Sequence, residues 1–80
     1  MKLPRDVGGA ELAKALANTG YRVTRQSGSH LRLTHPGPPQ HHVTIPGHSN
    51  LKVGTLAGIL DEVAKYLGLD RDALLKLMFP

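Results

Sequence analysis

The chain has 80 residues, 40% of them hydrophobic, a net charge of +4 and no cysteine, which excludes disulfides and thiolate metal sites. Only two tyrosines and one phenylalanine supply aromatic rings, which argues against a nucleic-acid platform of stacked aromatic side chains. This length and hydrophobicity are typical of one folded domain, so we expect a single domain over residues 1–80. No apolar run is as long as a membrane span, and MKLPRDVGG lacks a signal-peptide core, so we expect a cytoplasmic protein without membrane contact.

The positive charge is concentrated in one part of the chain. No Asp or Glu occurs between Leu12 and Leu60, and this span holds all five histidines. It also holds five cationic side chains, namely Lys14, Arg22, Arg25, Arg32 and Lys52. A long basic span without acidic residues favours an anionic partner, with nucleic acid as the first candidate. The alternative is a moderately basic surface that has no function.

The first predicted element is a helix from about Gly9 to Asn18, where small and apolar residues recur at helical spacing. Asp6 or Gly8 is its candidate N-cap, and Gly20 is placed for a left-handed residue at its end.

Three strands are predicted next, within YRVTRQS, SHLRLTH and HHVTIP. Ser27-Gly28 suits a two-residue hairpin turn, and PGPP is a loop because proline cannot continue a ladder. Strict alternation puts Arg25 on the same face as Tyr21 and Val23. The opposite face is expected to be open to water and to carry Arg22, Thr24, Gln26, His30, Arg32, Thr34, His42 and Thr44.

Two helices complete the prediction. GTLAGILDEVAKYLG carries a continuous apolar stripe and has Thr55 as a plausible cap, and LDRDALLKLMF is a short final helix with Asp70 as its N-cap. The order helix, three antiparallel strands, helix, helix indicates an α+β fold whose helices cover one face of the sheet. The apolar C-terminal segment, LLKLMFP, is expected to pack either on the domain or on a partner.

His30 is the first candidate for chemistry, because alternation turns it away from Leu31 and Leu33 toward a basic face. A neutral imidazole can take a proton from a ribose 2′-hydroxyl, and an imidazolium can donate one to a leaving 5′-oxygen. Neighbouring arginines can stabilise the charge that develops on phosphate oxygens. Ser29 adds a hydroxyl, and Gly28 allows close approach of a ligand to the backbone. The alternative is an exposed histidine at a strand end without a catalytic role.

A zinc site is the second candidate, with His35, His41, His42 and His48 as its possible ligands. Adjacent His41 and His42 project to opposite faces of a strand, and the acid-free span supplies no carboxylate. We therefore expect no metal.

The chain closely resembles the HicA toxins of bacterial toxin–antitoxin pairs in two segments, RQSGSHLRL and VTIPGHSNLKVGTLAGIL. The opening KLPRD with its helix, followed by TGYRVTRQSGSH, fits the same pattern. The resemblance covers about residues 1–69. It depends on GSH after the first strand followed by P-x-H-x-x-L-x-x-G-T-L-x-x-I-L from Pro46. The chain departs from the pattern at Gly8, where many relatives have serine, at Val53, where relatives often have a second lysine, and in its tail from Asp70.

The resemblance implies a fold similar to the double-stranded-RNA-binding domain and ribosome-independent cleavage of mRNA, with no cofactor. It also implies that His30, the histidine of GSH, is catalytic, and that a HicB-type antitoxin covers the active face. We expect RNA-binding roles for Arg25, Gly28, Ser29, Arg32, His48 and Lys52, with His48 also a candidate second catalytic group. Two other interpretations stay open: a non-catalytic RNA-binding module of the same fold, and an adaptor in which His30 binds only another protein.

Overall fold

A computed structural model describes residues 6–80, so most of the KLPRD segment lies outside the described residues. The elements are α1 (Gly9–Ala17), β1 (Arg22–Ser27), β2 (His30–His35), β3 (His41–Pro46), α2 (Val53–Leu67) and α3 (Arg71–Met78). The strands form one antiparallel sheet in the order β1-β2-β3. The predicted α+β order of one helix, three antiparallel strands and two further helices is therefore confirmed.

The helices pack on one face of the sheet, which we call the inner face; the opposite one is the outer face. Leu33, Val43 and Ile45 project from β2 and β3 into the core, as their alternation predicts. The helices contribute the fully or almost fully buried side chains Leu12, Leu16, Leu56, Leu60 and Val63. The packing of the apolar inner face against the apolar stripes of α1 and α2 is thus the main source of hydrophobic stabilisation.

The predicted caps are partly right. Gly8 is the N-cap of α1, and its N–H donates to the Glu11 carboxylate at 3.4 Å. Gly20 has a left-handed φ of 105°, as predicted; its N–H donates to the Ala17 carbonyl at 3.2 Å, and it closes the turn that follows the C-cap Asn18. Thr55 was wrongly assigned, because α2 already begins at Val53 and the extended residue Lys52 is its N-cap.

The last helix packs on the rest of the chain. The Asp70 side chain accepts the Ala73 N–H at 2.7 Å, which confirms the predicted N-cap. Leu74, Leu75 and Met78 are buried against the core formed by α1 and α2. The Asn18 amide donates to the Met78 carbonyl at 3.0 Å, so the C-terminal turn is also tied to α1.

A β-bulge in β1 changes which side chains reach the outer face. Val23 pairs with Leu33, but the next pair is Arg25 with Arg32, so Thr24 is an extra residue in β1. Since directly opposed residues share a face, Arg25 lies with Arg32 on the outer face and Gln26 lies with Leu31 on the inner side. The strict alternation assigned both Arg25 and Gln26 to the wrong face.

The hairpin turn lies one residue later than its prediction. Ser27 pairs with His30, so Gly28 and Ser29 are the two loop residues. Gly28 has a φ of 56°, as the first loop position of a type II′ hairpin turn requires. The turn therefore places Ser27 directly beside His30 on the sheet.

None of the helices in the described part of the chain is both long and apolar enough to cross a membrane.

Candidate functional site

A shallow concavity of about 170 Å³ lies on the outer face beside the β1–β2 hairpin. We call it the His30 pocket; its lining residues are Arg25, Ser27, His30, Arg32 and Thr44. Two neighbouring rows of paired residues form the pocket. In the row next to the turn, Ser27 lies opposite His30; in the second row, Arg32 lies between Arg25 and Thr44.

The imidazole of His30 is accessible at the first position of β2. The residue is exposed, which confirms that it lies outside the core. Within residues 6–80, neither ring nitrogen has a hydrogen-bond or ion-pair partner. Both nitrogens are thus available to exchange a proton or to bind an anionic oxygen.

Arg25 and Arg32 give the pocket its charge. Both are exposed and lie opposite each other on neighbouring strands. Among the described residues, neither guanidinium forms an ion pair with a carboxylate. Two cations beside an exposed imidazole are chemically suited to bind a phosphate group, since guanidinium donors match phosphate oxygens in geometry and charge.

The loop after β3 supports the hairpin turn from below. The Gly47 N–H donates to the Ser29 carbonyl, and a Cβ added at Gly47 would lie only 2.9 Å from that oxygen. A side chain at position 47 would therefore push the loop away from the turn. The His48 carbonyl accepts the Gly9 N–H at 2.9 Å, which brings the start of α1 to the same end of the sheet.

The remaining predicted site residues do not line the pocket. Gly28 and Ser29 form the turn at its end, and the space beside the Gly28 Cα is open. His48 and Lys52 are exposed in and after the β3–α2 loop, and they are not among the residues lining the pocket.

Sequence reasoning missed two hydroxyl groups of the pocket as site residues. Ser27 was assigned to the turn, although its pairing with His30 puts it in the pocket. Thr44 was expected on the outer face, but only the β2–β3 register shows that it lies opposite Arg32. Placing glycine first in the hairpin loop would have revealed the position of Ser27.

The other end of the sheet holds a very different group of rings, on the inner side. Tyr21, His35, His41 and Tyr66 form this group, which we call the aromatic cluster. His41 stacks on Tyr66 at 4.4 Å with an angle of 12° between the rings, and the fully buried Tyr21 meets the other three rings edge-on.

A chain of hydrogen bonds runs through His41. Burial raises the pKa of Tyr21 to about 12, and Tyr66 and Glu62 add to the rise, so the phenol is protonated at neutral pH. Its hydroxyl lies 2.6 Å from His41 Nδ1, and His41 Nε2 lies 3.3 Å from Glu62 Oε2. The phenol thus donates to Nδ1 and the Nε2–H donates to the carboxylate, which leaves His41 without a free nitrogen.

His35 is held just as completely. Its Nδ1 accepts the Gly37 N–H at 3.0 Å, so its proton is on Nε2, which donates to the Thr19 carbonyl at 3.1 Å. The Tyr66 hydroxyl donates to the Pro39 carbonyl and lies 3.3 Å from His35 Nδ1. The cluster therefore ties the β2–β3 loop and α2 to the end of the sheet.

The four histidines that were considered as zinc ligands are not gathered into one site. His35 and His41 belong to the aromatic cluster, His42 lies on the outer face and His48 in a loop. Among the residues described, no group of three or more His, Cys, Asp or Glu side chains is arranged to hold a metal ion.

Comparison with known proteins gives one family. The family model described as the HicA toxin of bacterial toxin–antitoxin systems matches residues 9–69, which include α1, the whole sheet and α2. No curated protein and no solved structure matches the chain. Because the match covers most of the 80 residues, it agrees with the resemblance carried by the GSH and Pro46–Leu60 motifs. The chain belongs to the HicA family, the toxins of bacterial toxin–antitoxin systems.

Proposed function

We propose that this toxin is an mRNA endonuclease that acts without the ribosome and without a metal ion, in a type II toxin–antitoxin system. The observation that carries the proposal is the His30 pocket, where an exposed imidazole lies beside two hydroxyls and two arginines that form no ion pair within residues 6–80. These groups are the ones that cleavage by a ribose 2′-hydroxyl requires.

The proposed reaction is a transesterification within the RNA. His30 takes the proton of the 2′-hydroxyl, the 2′-oxygen bonds to the adjacent phosphorus, and the bond from phosphorus to the 5′-oxygen breaks. The products are a 2′,3′-cyclic phosphate and a 5′-hydroxyl end. No metal is needed to generate the nucleophile, because the RNA supplies it and the imidazole activates it.

Arg25 and Arg32 hold the scissile phosphate in this proposal. Negative charge accumulates on the non-bridging oxygens as the fifth bond to phosphorus forms, and guanidinium groups placed there stabilise the transition state. The leaving 5′-oxygen must receive a proton. His48 is our candidate for this second role, because its loop is anchored to the turn beside His30 through Gly47 and Ser29. Lys52 adds positive charge where that loop enters α2.

The antitoxin in this proposal is a HicB-type protein that covers the outer face. Membership of the toxin family implies an antitoxin partner. The arginines of the outer face form no ion pair with another described residue, which favours an acidic or polar surface on that partner. Since the proposed substrate is mRNA, we place the protein in the cytoplasm.

The test is cleavage of a long single-stranded RNA by the purified protein in the presence of a metal chelator. We expect fragments that end in a 2′,3′-cyclic phosphate and begin with a 5′-hydroxyl. An RNA with a 2′-deoxyribose at the cleaved position is the matched control, and we expect it to be bound but not cut there. Binding without fragments would support the alternative of a non-catalytic RNA-binding module. Absence of both RNA binding and RNA cleavage would support the protein-binding adaptor.

A further inference from the structure

A third row of polar side chains crosses the outer face beyond the His30 pocket. Thr34, in the middle strand, lies opposite Arg22 of β1 and opposite His42 of β3, so the three side chains share the outer face. Arg22 and His42 are exposed. Thr24, the bulged residue, joins the row through a contact of 2.8 Å between its hydroxyl and that of Thr34.

Hydrogen bonds fix the orientation of His42 within this row. Its Nδ1 lies 2.8 Å from the Thr34 hydroxyl, whereas no residue in the described part of the chain forms a hydrogen bond or ion pair with its Nε2. The Thr24 hydroxyl is closer to Thr34, at 2.8 Å, than to the Arg32 carbonyl, at 3.4 Å. Donation from Thr24 to Thr34 and from Thr34 to Nδ1 is therefore favoured, and it leaves the proton on Nε2 as an outward donor.

The charge of this row is also uncompensated. Arg22 forms no ion pair within residues 6–80. The carboxylate at this end of the sheet, Glu62, lies on α2 beneath the inner face, where it contacts His41. A guanidinium and an N–H donor on an open face whose three strands contain no Asp or Glu are suited to a phosphate group.

The spacing along β2 separates this phosphate from the scissile one. At about 3.3 Å per residue, Thr34 is about 7 Å from Arg32, which holds the scissile phosphate in the proposed function, and about 13 Å from His30. The row of Arg25, Arg32 and Thr44 lies between them. A phosphodiester strand lying along β2 would therefore meet His30 first, then the arginine pair, and then Arg22 with His42.

We propose that Arg22 and His42 form a second phosphate-binding site, which holds the RNA strand on one side of the scissile bond and sets its direction across the sheet. This inference rests on the proposed function, because it concerns the substrate of the same site. Tyr21 and Tyr66 belong to the aromatic cluster on the inner side, and Phe79 lies beside α1, so none of these three residues lies on the outer face. The second site thus binds backbone phosphate rather than stacked bases, and its contribution is independent of base sequence.

The test is the salt dependence of binding to a short single-stranded RNA, measured in the His30→Ala background so that the RNA stays intact. Loss of one phosphate contact lowers the slope of log affinity against log salt by about 0.7 for single strands. We expect Arg22→Gln to lower the slope by this amount and to weaken binding about 3- to 10-fold at low salt. Lys76→Gln, which removes one exposed charge from α3, is the control, and we expect no change in slope.

Arg22→Lys is the control that separates loss of charge from loss of structure. It keeps the charge, so we expect it to retain most of the slope, and a loss of slope in both Arg22 variants together with a lower melting temperature would overturn the proposal. An unchanged slope in a folded Arg22→Gln protein would also overturn it.

Cleavage measured with His30 intact separates this inference from the proposed function. We expect Arg22→Gln and His42→Gln to raise KM several-fold while kcat stays within about twofold, because both residues lie away from the reacting bond. If the parent protein cleaves RNA but Arg22→Gln leaves the salt-dependence slope unchanged, the second site would be overturned and the nuclease function retained. The predicted loss of slope without any cleavage would retain the second site and remove the nuclease. A protein that binds no RNA would overturn both.

Discussion

The two ends of the sheet carry the same residue type in opposite states. At the hairpin end, His30 is exposed and, among the described residues, has no partner on either ring nitrogen. At the other end, every ring nitrogen of His35 and His41 is engaged by backbone, phenol or carboxylate. The difference shows that a histidine's partners, rather than its presence on a strand, separate a candidate catalyst from a structural group.

The surroundings of the two ends differ in the same way. The His30 pocket contains two arginines and, among the described residues, no carboxylate, so its charge favours an anionic ligand. The aromatic cluster has a carboxylate beside it, Glu62, which pairs with His41, and it joins segments that are distant in sequence. We therefore expect substitutions at the first end to affect chemistry and those at the second to affect stability.

The largest expected effect is that of His30→Ala on cleavage. Proton transfer by a placed side chain contributes about 10²- to 10⁴-fold in rate, so we expect a loss of this size. The side chain fills no part of the core, so the free energy of unfolding should stay within about 1 kcal/mol of the parent. Single-turnover cleavage and thermal unfolding would be measured on both proteins. Parent-like cleavage would exclude His30 from the mechanism, and a large drop in stability would make it structural.

His41→Ala is expected to show the reverse pattern. It leaves the buried Tyr21 hydroxyl without its acceptor and removes the stacking on Tyr66, at a combined cost of about 2–4 kcal/mol. Chemical denaturation would measure the loss, and cleavage by the folded fraction should be unchanged. His42→Ala is the matched control, because it removes the adjacent imidazole from the outer face and should cost less than about 1 kcal/mol. Equal losses in the two variants would contradict a special role for the cluster.

Alkaline pH should weaken the aromatic cluster through Tyr21. Its pKa is raised to about 12 in the folded protein, compared with about 10 in an unfolded chain. Between these values the unfolded state releases the proton first, so stability is fully present below about pH 10 and falls as the pH rises toward 12. The slope from this group is at most about 1.4 kcal/mol per pH unit. Between pH 10 and 12, the free energy of unfolding should fall less steeply with pH for Tyr21→Phe than for the parent.

The smallest expected effect is that of Thr24→Val on the outer face. The Thr24 hydroxyl is exposed and its hydrogen bonds compete with water, so we expect a change in unfolding free energy within about 0.5 kcal/mol. Thermal melts of the variant and the parent would measure it. A loss as large as that expected for His41→Ala would mean that the polar row holds the sheet together, and the contrast between the two ends would disappear.

The elements and their faces were largely predictable, because they depend on short-range patterns. Alternation in SHLRLTH and HHVTIP is enough to place Leu33 and Val43 in the core and His30 outside it. Likewise, the apolar stripe of α2 and the Asp70 cap of α3 follow from spacings within a few residues. The family, too, was recognisable from two local motifs in their order along the chain.

Only the tertiary structure decided which side chains form the site and which do not. A bulge at Thr24 depends on how β1 pairs with β2, and this pairing brings Arg25 to His30. The support of the turn by Gly47 and the engagement of His41 by Tyr21 and Glu62 join residues far apart in sequence. Local patterns predict the direction of a side chain, but its partners come from other strands and helices, and these partners set its accessibility and its protonation.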